Sequence, residues 1–414
     1  MKFDCKVNIV DAIMGAGKSQ AIINYINKCD RSNKFIVITP YLDEVERYKS
    51  FCPTKKFKTP KFINVKSKLD NIKTLINNGE NIVSTHALFQ KFDNELIDMC
   101  RASNYILIMD EVANVVDTYD LSKDDFHALL ETFVDINPDT KQLIWKEEYR
   151  EYCGKFNDEK RLCELGSLVC YGDSLMMWLF PVEAFNSFRE IYILTYRFDL
   201  QMQRYYYDYY ELPYKYMSVE GNSLDTYRLI DYSPNINHIK HNYKKLIHIC
   251  EHEKLNRIGD RDTDLSKGWY ERNKQNVSMS VLKNNISNYF KNIRGGGTSD
   301  NIWTTFKDYF SLLRGKGYTK GFLPLNSRAT NEYRNRTSVV YPVNRYLNPF
   351  VKNFFTQNGI EVDEDGYALS EMLQFIWRSA IRDGNEIWVY IPSKRMRNLL
   401  KQWIDENSPK NAEK

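Results

Sequence analysis

The chain has 414 residues, which is too long for one ordinary hydrophobic core, so we expect two or three domains. Its 58 basic and 54 acidic residues give a net charge of +4, which neither requires nor excludes a nucleic-acid partner. The eight cysteines show no CxxC pair or zinc-finger spacing, and no signal peptide or 18-residue apolar run is visible. These features predict a cytoplasmic protein with reduced thiols and no membrane contact.

Short apolar runs alternate with helix-like segments over about the first 115 residues. We predict strands at 7–10, 34–38, 81–84 and 105–109, and helices at 18–28, 43–50 and 87–98. Alternating strands and helices favour a parallel sheet covered by helices on both faces.

The remaining residues suggest an insertion and then a second α/β domain. Residues 118–185 carry much charge, Tyr and Trp with little strand pattern, so we expect a helical insertion; the first sheet resumes at 190–194. Further strands are predicted at 246–250, 321–325, 339–341 and 386–391, with helices at 277–291, 348–358 and 369–382. The predicted fold is α/β, with two parallel-sheet domains in tandem at 1–235 and 236–414.

A phosphate-binding loop is predicted between the first strand and the first helix, in "NIVDAIMGAGKSQAIINYI". Its small residues allow backbone N–H groups to surround phosphate oxygens, and the following helix directs its N-terminus at the same anion. Lys18 would carry charge to the β- and γ-phosphates, and the Ser19 hydroxyl would bind Mg²⁺. The nucleotide-binding residues predicted here are Ala12, Met14, Gly15, Ala16, Gly17, Lys18 and Ser19.

An acidic pair, Asp110 and Glu111, ends the apolar strand in "NYILIMDEVANVV". A carboxylate at this edge of the sheet can hold Mg²⁺ through water, and a second can orient the attacking water. We assign the metal role to Asp110, with Ser19, and the water role to Glu111.

Three polar residues, Gln374, Arg378 and Arg382, recur every four positions in the predicted helix 369–382. On one helix this spacing puts them on one face. Two guanidinium groups there could reach a γ-phosphate across an interdomain cleft. A solvated basic face would show the same spacing.

Together these motifs resemble those of superfamily 2 helicases of the DExx type, and the chain resembles helicase-like proteins of phages and viruses. Gln374, Arg378 and Arg382 resemble the Q-x-x-G-R-x-x-R motif, with Trp377 in place of Gly. The resemblance implies two RecA-like domains, ATP and Mg²⁺ as cofactors, and catalytic roles for Lys18, Asp110, Glu111, Gln374, Arg378 and Arg382. It also implies nucleic-acid contacts at Thr39, Ser84, Thr85, Asn326 and Arg328.

The function implied is an ATP-dependent helicase or translocase, with DNA favoured over RNA and a protein partner for the insertion. One alternative is a phage DNA-packaging ATPase of the large terminase type, which would need nuclease carboxylates in its second half. Another alternative is an ATP-regulated switch or binding protein without motor activity. Base preference, polarity and oligomeric state stay open at this stage.

Overall fold

The computed structural model describes residues 6–40, 42–62, 67–172, 175–233, 241–325 and 332–408, with all their side chains except that of Asp43. Up to residue 233, the strands are β1 (Val7–Asp11), β2 (Phe35–Thr39), β3 (Ile82–Thr85), β4 (Ile106–Asp110), β5 (Val116–Tyr119), β6 (Val134–Ile136), β7 (Leu143–Trp145), β8 (Leu168–Tyr171), β9 (Leu175–Leu179), β10 (Glu190–Thr195), β11 (Tyr214–Glu220) and β12 (Arg228–Asp231). The helices of this part are α1 (Lys18–Lys28), α2 (Leu42–Phe51), α3 (Lys68–Asn77), α4 (His86–Phe89), α5 (Asn94–Ser103), α6 (Lys123–Ala128), α7 (Asn157–Glu164), α8 (Val182–Asn186) and α9 (Met202–Tyr209).

The first sheet has seven strands in the order β12-β11-β1-β10-β4-β2-β3. All neighbours are parallel except β11 and β12. Strands β1 and β2 are buried along their whole length, as expected when helices cover both faces of a parallel sheet. Val10 pairs with Leu194, which pairs in turn with Asp110. The loops after β1 and β4 therefore both leave the sheet at the carboxyl ends of its strands.

The second sheet is parallel and has four strands, β13 (Ile247–Ile249), β14 (Asn301–Trp303), β15 (Ser338–Val340) and β16 (Ile387–Tyr390), in the order β13-β16-β15-β14. Its helices are α10 (Tyr243–Leu246), α11 (Glu253–Asn256), α12 (Lys267–Asn273), α13 (Val277–Asn288), α14 (Phe310–Leu313), α15 (Pro349–Gln357), α16 (Glu364–Ile376) and α17 (Lys394–Glu406). The predicted fold class, α/β with two mainly parallel sheets in tandem, is confirmed.

The insertion is not the helical unit that we predicted over 118–185. Strands β5, β9 and β8 form an antiparallel sheet, and β6 and β7 form an antiparallel pair beside it. Helices α6 and α7 pack with these strands around a separate core that includes Leu129, Leu143 and Leu168. The strands have only three to five residues, too few to show a period-two pattern in a charged segment.

Two local predictions also need correction. Residues 321–325 are not a strand: Phe322 makes only an isolated bridge to Trp303, and the edge strand is β14. The helix predicted at 87–98 is two helices, because Asp93 caps α5 by accepting a hydrogen bond from the Leu96 backbone N–H.

One buried hydrophobic cluster contains residues of both sheet-containing parts. Ala12, Ile13 and Ala16, from the loop after β1, belong to the same buried cluster as Trp377 and Trp403. The loop therefore lies against the C-terminal part of the chain. Among the residues described, no helix combines the length and the apolarity needed to span a bilayer.

Candidate functional site

The loop between β1 and α1 has the backbone conformation that its glycines allow. Gly15 and Gly17 have φ angles of 81° and 93°, in the left-handed region that favours glycine. Lys18 opens α1, and its Nζ donates hydrogen bonds to the backbone oxygens of Ala12 (2.5 Å) and Ile13 (3.2 Å). The loop thus closes around its own lysine at the N-terminus of an 11-residue helix.

The charge on Lys18 is destabilised in this environment. Burial lowers the pKa of the Lys18 ammonium to about 8, although Asp11, Asp110 and Glu111 act in the opposite direction. A nearby anion would favour the charged form and raise this pKa again.

Carboxylates gather at the end of β4, next to the loop. Ser19 Oγ donates to Asp110 Oδ1 at 3.4 Å, and the Tyr48 hydroxyl donates to Asp110 Oδ2 at 3.2 Å. Burial, followed by the charges of Glu44 and Glu111, raises the pKa of Asp110 to about 6. A bound cation would stabilise the ionised form of Asp110 among these crowded carboxylates.

Glu111 adopts a strained backbone conformation at the same place. Its φ is 91°, which is uncommon for a residue other than glycine, and its backbone N–H donates to the Leu194 carbonyl at 3.0 Å. Its side-chain Oε1 lies 3.5 Å from the Arg378 guanidinium, so the C-terminal part of the chain contacts the acidic pair directly.

The arginines do not lie on the single helix that we predicted over 369–382. Helix α16 ends at Ile376, and the Ser379 hydroxyl donates to the Ile376 carbonyl in the turn that follows. Gln374 lies in the last turn of α16, Arg378 lies in the turn after it, and Arg382 lies on a short 3₁₀ segment, Ala380–Asp383. The four-residue spacing therefore does not describe one helical face.

Both arginines nevertheless lie close to the loop, with Arg378 buried and Arg382 half-buried. Arg378 is 6% exposed, and its Nε has no hydrogen-bond partner among the described residues. A Cβ placed on Gly15 would lie 3.3 Å from the Arg382 carbonyl oxygen and 3.6 Å from Arg382 Cγ. Burial, followed by the charges of Arg378 and Arg334, lowers the pKa of Arg382. A set of neighbouring cations that repel each other is suited to bind an anion.

One cavity of about 510 Å³ brings these groups together. Of the predicted site residues, Met14, Gly15, Gly17, Lys18, Ser19, Asp110, Glu111, Gln374, Arg378 and Arg382 line it. Ala12 and Ala16 do not line it: both belong to the loop but are buried, and the Ala12 carbonyl accepts a hydrogen bond from Lys18.

The lining residues fit a nucleoside triphosphate with Mg²⁺. The buried Arg378 Nε and the Arg382 guanidinium offer donors to phosphate oxygens, together with Lys18. Within the described parts of the chain, no group of three His, Cys, Asp or Glu residues could hold a metal by itself. Ser19 and Asp110 could hold Mg²⁺, which usually takes one or two protein ligands and completes its shell with phosphate and water.

A curated relative covers almost the entire chain. The SPbeta prophage-derived uncharacterized protein YonV of Bacillus subtilis (strain 168) is 42% identical over 411 residues, which cover 97% of this chain and 99% of the relative. The chain belongs to the YonV family. Two family models agree: the YonV middle domain matches residues 116–178, and the YonV C-terminal Rossmann-like domain matches residues 241–404.

Solved structures give weaker likenesses to this YonV-family chain. Xpd4 of S. tokodaii aligns with a TM-score of 0.48 at 12% identity, covering 96% of this chain and 94% of Xpd4. The DUF1998 helicase MrfA, solved bound to DNA and AMPPNP, aligns with a TM-score of 0.36 at 9% identity, covering 99% of this chain and 49% of MrfA. Both scores are too low to carry an inference to the YonV-family chain.

The predicted nucleic-acid contacts lie in different environments. The Thr39 and Ser84 side chains are buried, at 0% and 3% exposure, so neither can touch a strand in this conformation, which corrects our expectation for both. Thr85 is half-buried before α4 and stays a prediction. Asn326 and Arg328 lie outside the described residues.

Sequence reasoning missed several residues of the cavity. Glu44 and Arg47 come from α2, which follows the C-terminal end of β2 at the same sheet edge as the loop. Parallel-sheet ligand sites form at this edge, so the position of α2 was a usable signal. Gln20, Val112 and Asp383 adjoin predicted site residues in the sequence. Leu224, Tyr227 and Arg334 carry no motif and reach the cavity only through folding.

Proposed function

We propose that this YonV-family chain is an ATP-dependent helicase or translocase that couples hydrolysis to movement along nucleic acid, DNA in preference to RNA. One observation carries the proposal: a glycine-rich loop, a carboxylate pair and two arginines from the far end of the chain line the same cavity. Phosphoryl transfer is catalysed mainly by positioning and by charge, and these groups supply both.

The proposed roles follow from the charges and contacts of the side chains. Lys18 and the loop N–H groups would bind the β- and γ-phosphates, and Ser19 with Asp110 would hold Mg²⁺. The bound Mg²⁺ would neutralise charge on the phosphates. Glu111 would orient the attacking water, and Arg378 and Arg382 would stabilise the charge that develops in the transition state.

A motor role is supported by the way the two sheets share the site. The loop and the carboxylates come from the first sheet, whereas the arginines precede β16 of the second. Since Arg378 pairs with Glu111 in this conformation, bound phosphate would compete for the guanidinium and shift how the two parts pack. Such a shift could move a strand that both parts grip through its backbone.

ATP hydrolysis in the presence and absence of nucleic acid tests the proposal. Phosphate release is measured with single- and double-stranded DNA and RNA, and strand displacement is followed on a forked duplex. We expect stimulation by nucleic acid, largest with DNA. A parallel assay on plasmid DNA with Mn²⁺ examines the terminase alternative, because nuclease activity there would overturn the helicase assignment.

A second candidate is an ATP-regulated switch in which closure signals to a protein partner. It is favoured by the insertion, which has its own sheets and its own hydrophobic core. A partner could bind there without disturbing the nucleotide site. ATP hydrolysis that no nucleic acid stimulates would favour this switch over the motor.

A further inference from the structure

A surface loop between β11 and β12 contributes two residues to the lining of the proposed nucleotide cavity. The loop spans residues 221–227, and its members Leu224 and Tyr227 line the cavity together with Gly17 and Gln20. Leu224 is 59% exposed, and Tyr227 is half-buried. The motifs of the phosphate site do not account for this apolar wall.

The Tyr227 ring is seated directly on the phosphate loop. A Cβ placed on Gly17 would lie 2.2 Å from Tyr227 Cε1, so only glycine leaves room for the ring. Gly15 lies against Arg382 instead. The two glycines of the loop therefore contact different groups, an arginine at Gly15 and an aromatic ring at Gly17.

The loop is held in place by hydrogen bonds to α1. Asn24 Nδ2 donates to the backbone oxygens of Leu224 (2.8 Å) and Tyr227 (2.9 Å). Within the loop, Thr226 Oγ1 accepts from the backbone N–H groups of Asn222 and Ser223. A fixed ring loses little conformational entropy when a ligand binds against it.

The chemistry of this wall suits a flat apolar group more than a phosphate. Tyr227 offers a ring and Leu224 an aliphatic surface, whereas Arg382 lies against the other glycine of the loop. Nucleobases stack on aromatic side chains, and this stacking tolerates different bases because every base has a π-face.

We propose that Tyr227, supported by Leu224, forms the base-binding subsite and receives the base of a nucleoside triphosphate by stacking. This inference rests on the proposed nucleotide site and adds a specificity to it. ATP and GTP should bind with similar affinity, because a stacking surface does not read the edges of a base.

Calorimetric titration of the full-length protein with Mg²⁺–ATP, Mg²⁺–GTP and Mg²⁺–tripolyphosphate tests the subsite. In the Tyr227→Ala variant, binding of both nucleotides should weaken by about 10- to 100-fold, whereas tripolyphosphate binding should not change. The matched control is Tyr232→Ala, which removes a 43% exposed tyrosine outside the cavity lining and should change none of the three affinities.

The tripolyphosphate arm separates the outcomes. Equal weakening of all three ligands in Tyr227→Ala would mean that the ring only supports the phosphate loop, and unchanged nucleotide binding would mean that no base stacks there. Either result overturns the subsite and leaves the nucleotide site standing. A wild-type protein that binds none of the three would overturn the subsite and the proposed function together.

Discussion

At the scale of single residues, Lys18 carries the charge on which the proposed phosphate site depends. Its ammonium is held by two backbone carbonyls of its own loop and faces the carboxylates of β4. Lys18→Ala should abolish ATP hydrolysis, because the phosphates lose their principal counter-charge. Phosphate release measures this, and Lys28→Ala, at the exposed end of the same helix, is the control. Turnover that survives in Lys18→Ala would mean that the nucleotide binds at another site.

Arg382 offers a test that separates binding from turnover. Because its main proposed role is to stabilise the charge that develops in the transition state, Arg382→Ala should bind nucleotide nearly as the wild type does, yet hydrolyse it roughly 10³-fold more slowly. Nucleotide affinity and turnover are measured on the same preparation. Arg257→Ala, which removes a guanidinium with a side chain 72% exposed, should affect neither quantity. Wild-type turnover in Arg382→Ala would show that the cleft is misassigned.

Asp11 links the glycine-rich loop after β1 to the turn after β10 and gives a prediction about pH. Its carboxylate is 3% exposed and accepts hydrogen bonds from the backbone N–H groups of Arg197 (2.8 Å) and Phe198 (3.1 Å). Burial raises the pKa of Asp11 from 3.8 to about 6, and these hydrogen bonds only partly oppose the rise. In the unfolded chain Asp11 loses its proton near pH 4, whereas in the folded chain it keeps the proton up to about pH 6. The contribution of Asp11 to stability is therefore lost as the pH rises from about 4 to about 6.

Asp11→Asn should remove this dependence on pH. The difference in unfolding free energy, variant minus wild type, should increase by on the order of 3 kcal/mol as the pH rises from about 4 to about 7. Urea denaturation at a series of pH values measures the difference, with Asp405→Asn, at an exposed site, as the control. An unchanged difference would mean that Asp11 is ionised at both ends of the range.

At the scale of elements, the end of α16 shows where periodicity misleads. The spacing of Gln374, Arg378 and Arg382 matches a helix, but the chain leaves the helix after Ile376. Trp377 is 3% exposed and packs on Tyr243 and Trp403, and this tertiary packing accompanies the turn. Spacing along the chain cannot reveal such contacts. The three polar residues line one cavity although they share no helical face.

The break between α4 and α5 has a local cause that can be tested. Asp93 Oδ1 accepts from the Leu96 N–H at 2.9 Å, and its other oxygen lies 2.8 Å from Lys73 Nζ. Asp93→Ala should lower the unfolding free energy by about 1 kcal/mol, the usual effect of losing an N-cap. Asp98→Ala, which removes a side chain 71% exposed from the middle of α5, should cost much less in the same urea titration. Equal effects would mean that the cap does not hold the helix start.

At the scale of the whole molecule, buried parallel strands were the most predictable part. Strands β1, β2 and β4 are nearly continuous apolar runs. They end at the glycine-rich loop, at Thr39 and at the acidic pair, respectively, all of which were visible in the sequence. The insertion was mispredicted because its short antiparallel strands alternate weakly between buried and exposed positions. No sequence motif marked Tyr227 as a base-binding residue, because only folding brings the loop 221–227 to Gly17.

Contacts between the two sheet-containing parts are equally invisible in the sequence. Trp403 Nε1 donates to the Tyr196 hydroxyl at 3.1 Å, and Gln201 Nε2 donates to Ser370 Oγ at 2.6 Å. These bonds join the turn after β10 to α16 and α17 across more than 160 positions. They lie next to Asp11, so this turn connects the phosphate loop to the C-terminal part.

The most direct test of the central claim is a structure of the full chain with Mg²⁺ and a non-hydrolysable ATP analogue. The claim is that Lys18 and the two guanidinium groups bind one triphosphate between the two sheets. The account predicts that Lys18 Nζ and at least one of Arg378 and Arg382 lie within hydrogen-bond distance of the β- or γ-phosphate oxygens. A triphosphate that lies outside this cavity, or one that both guanidinium groups fail to reach, would contradict it.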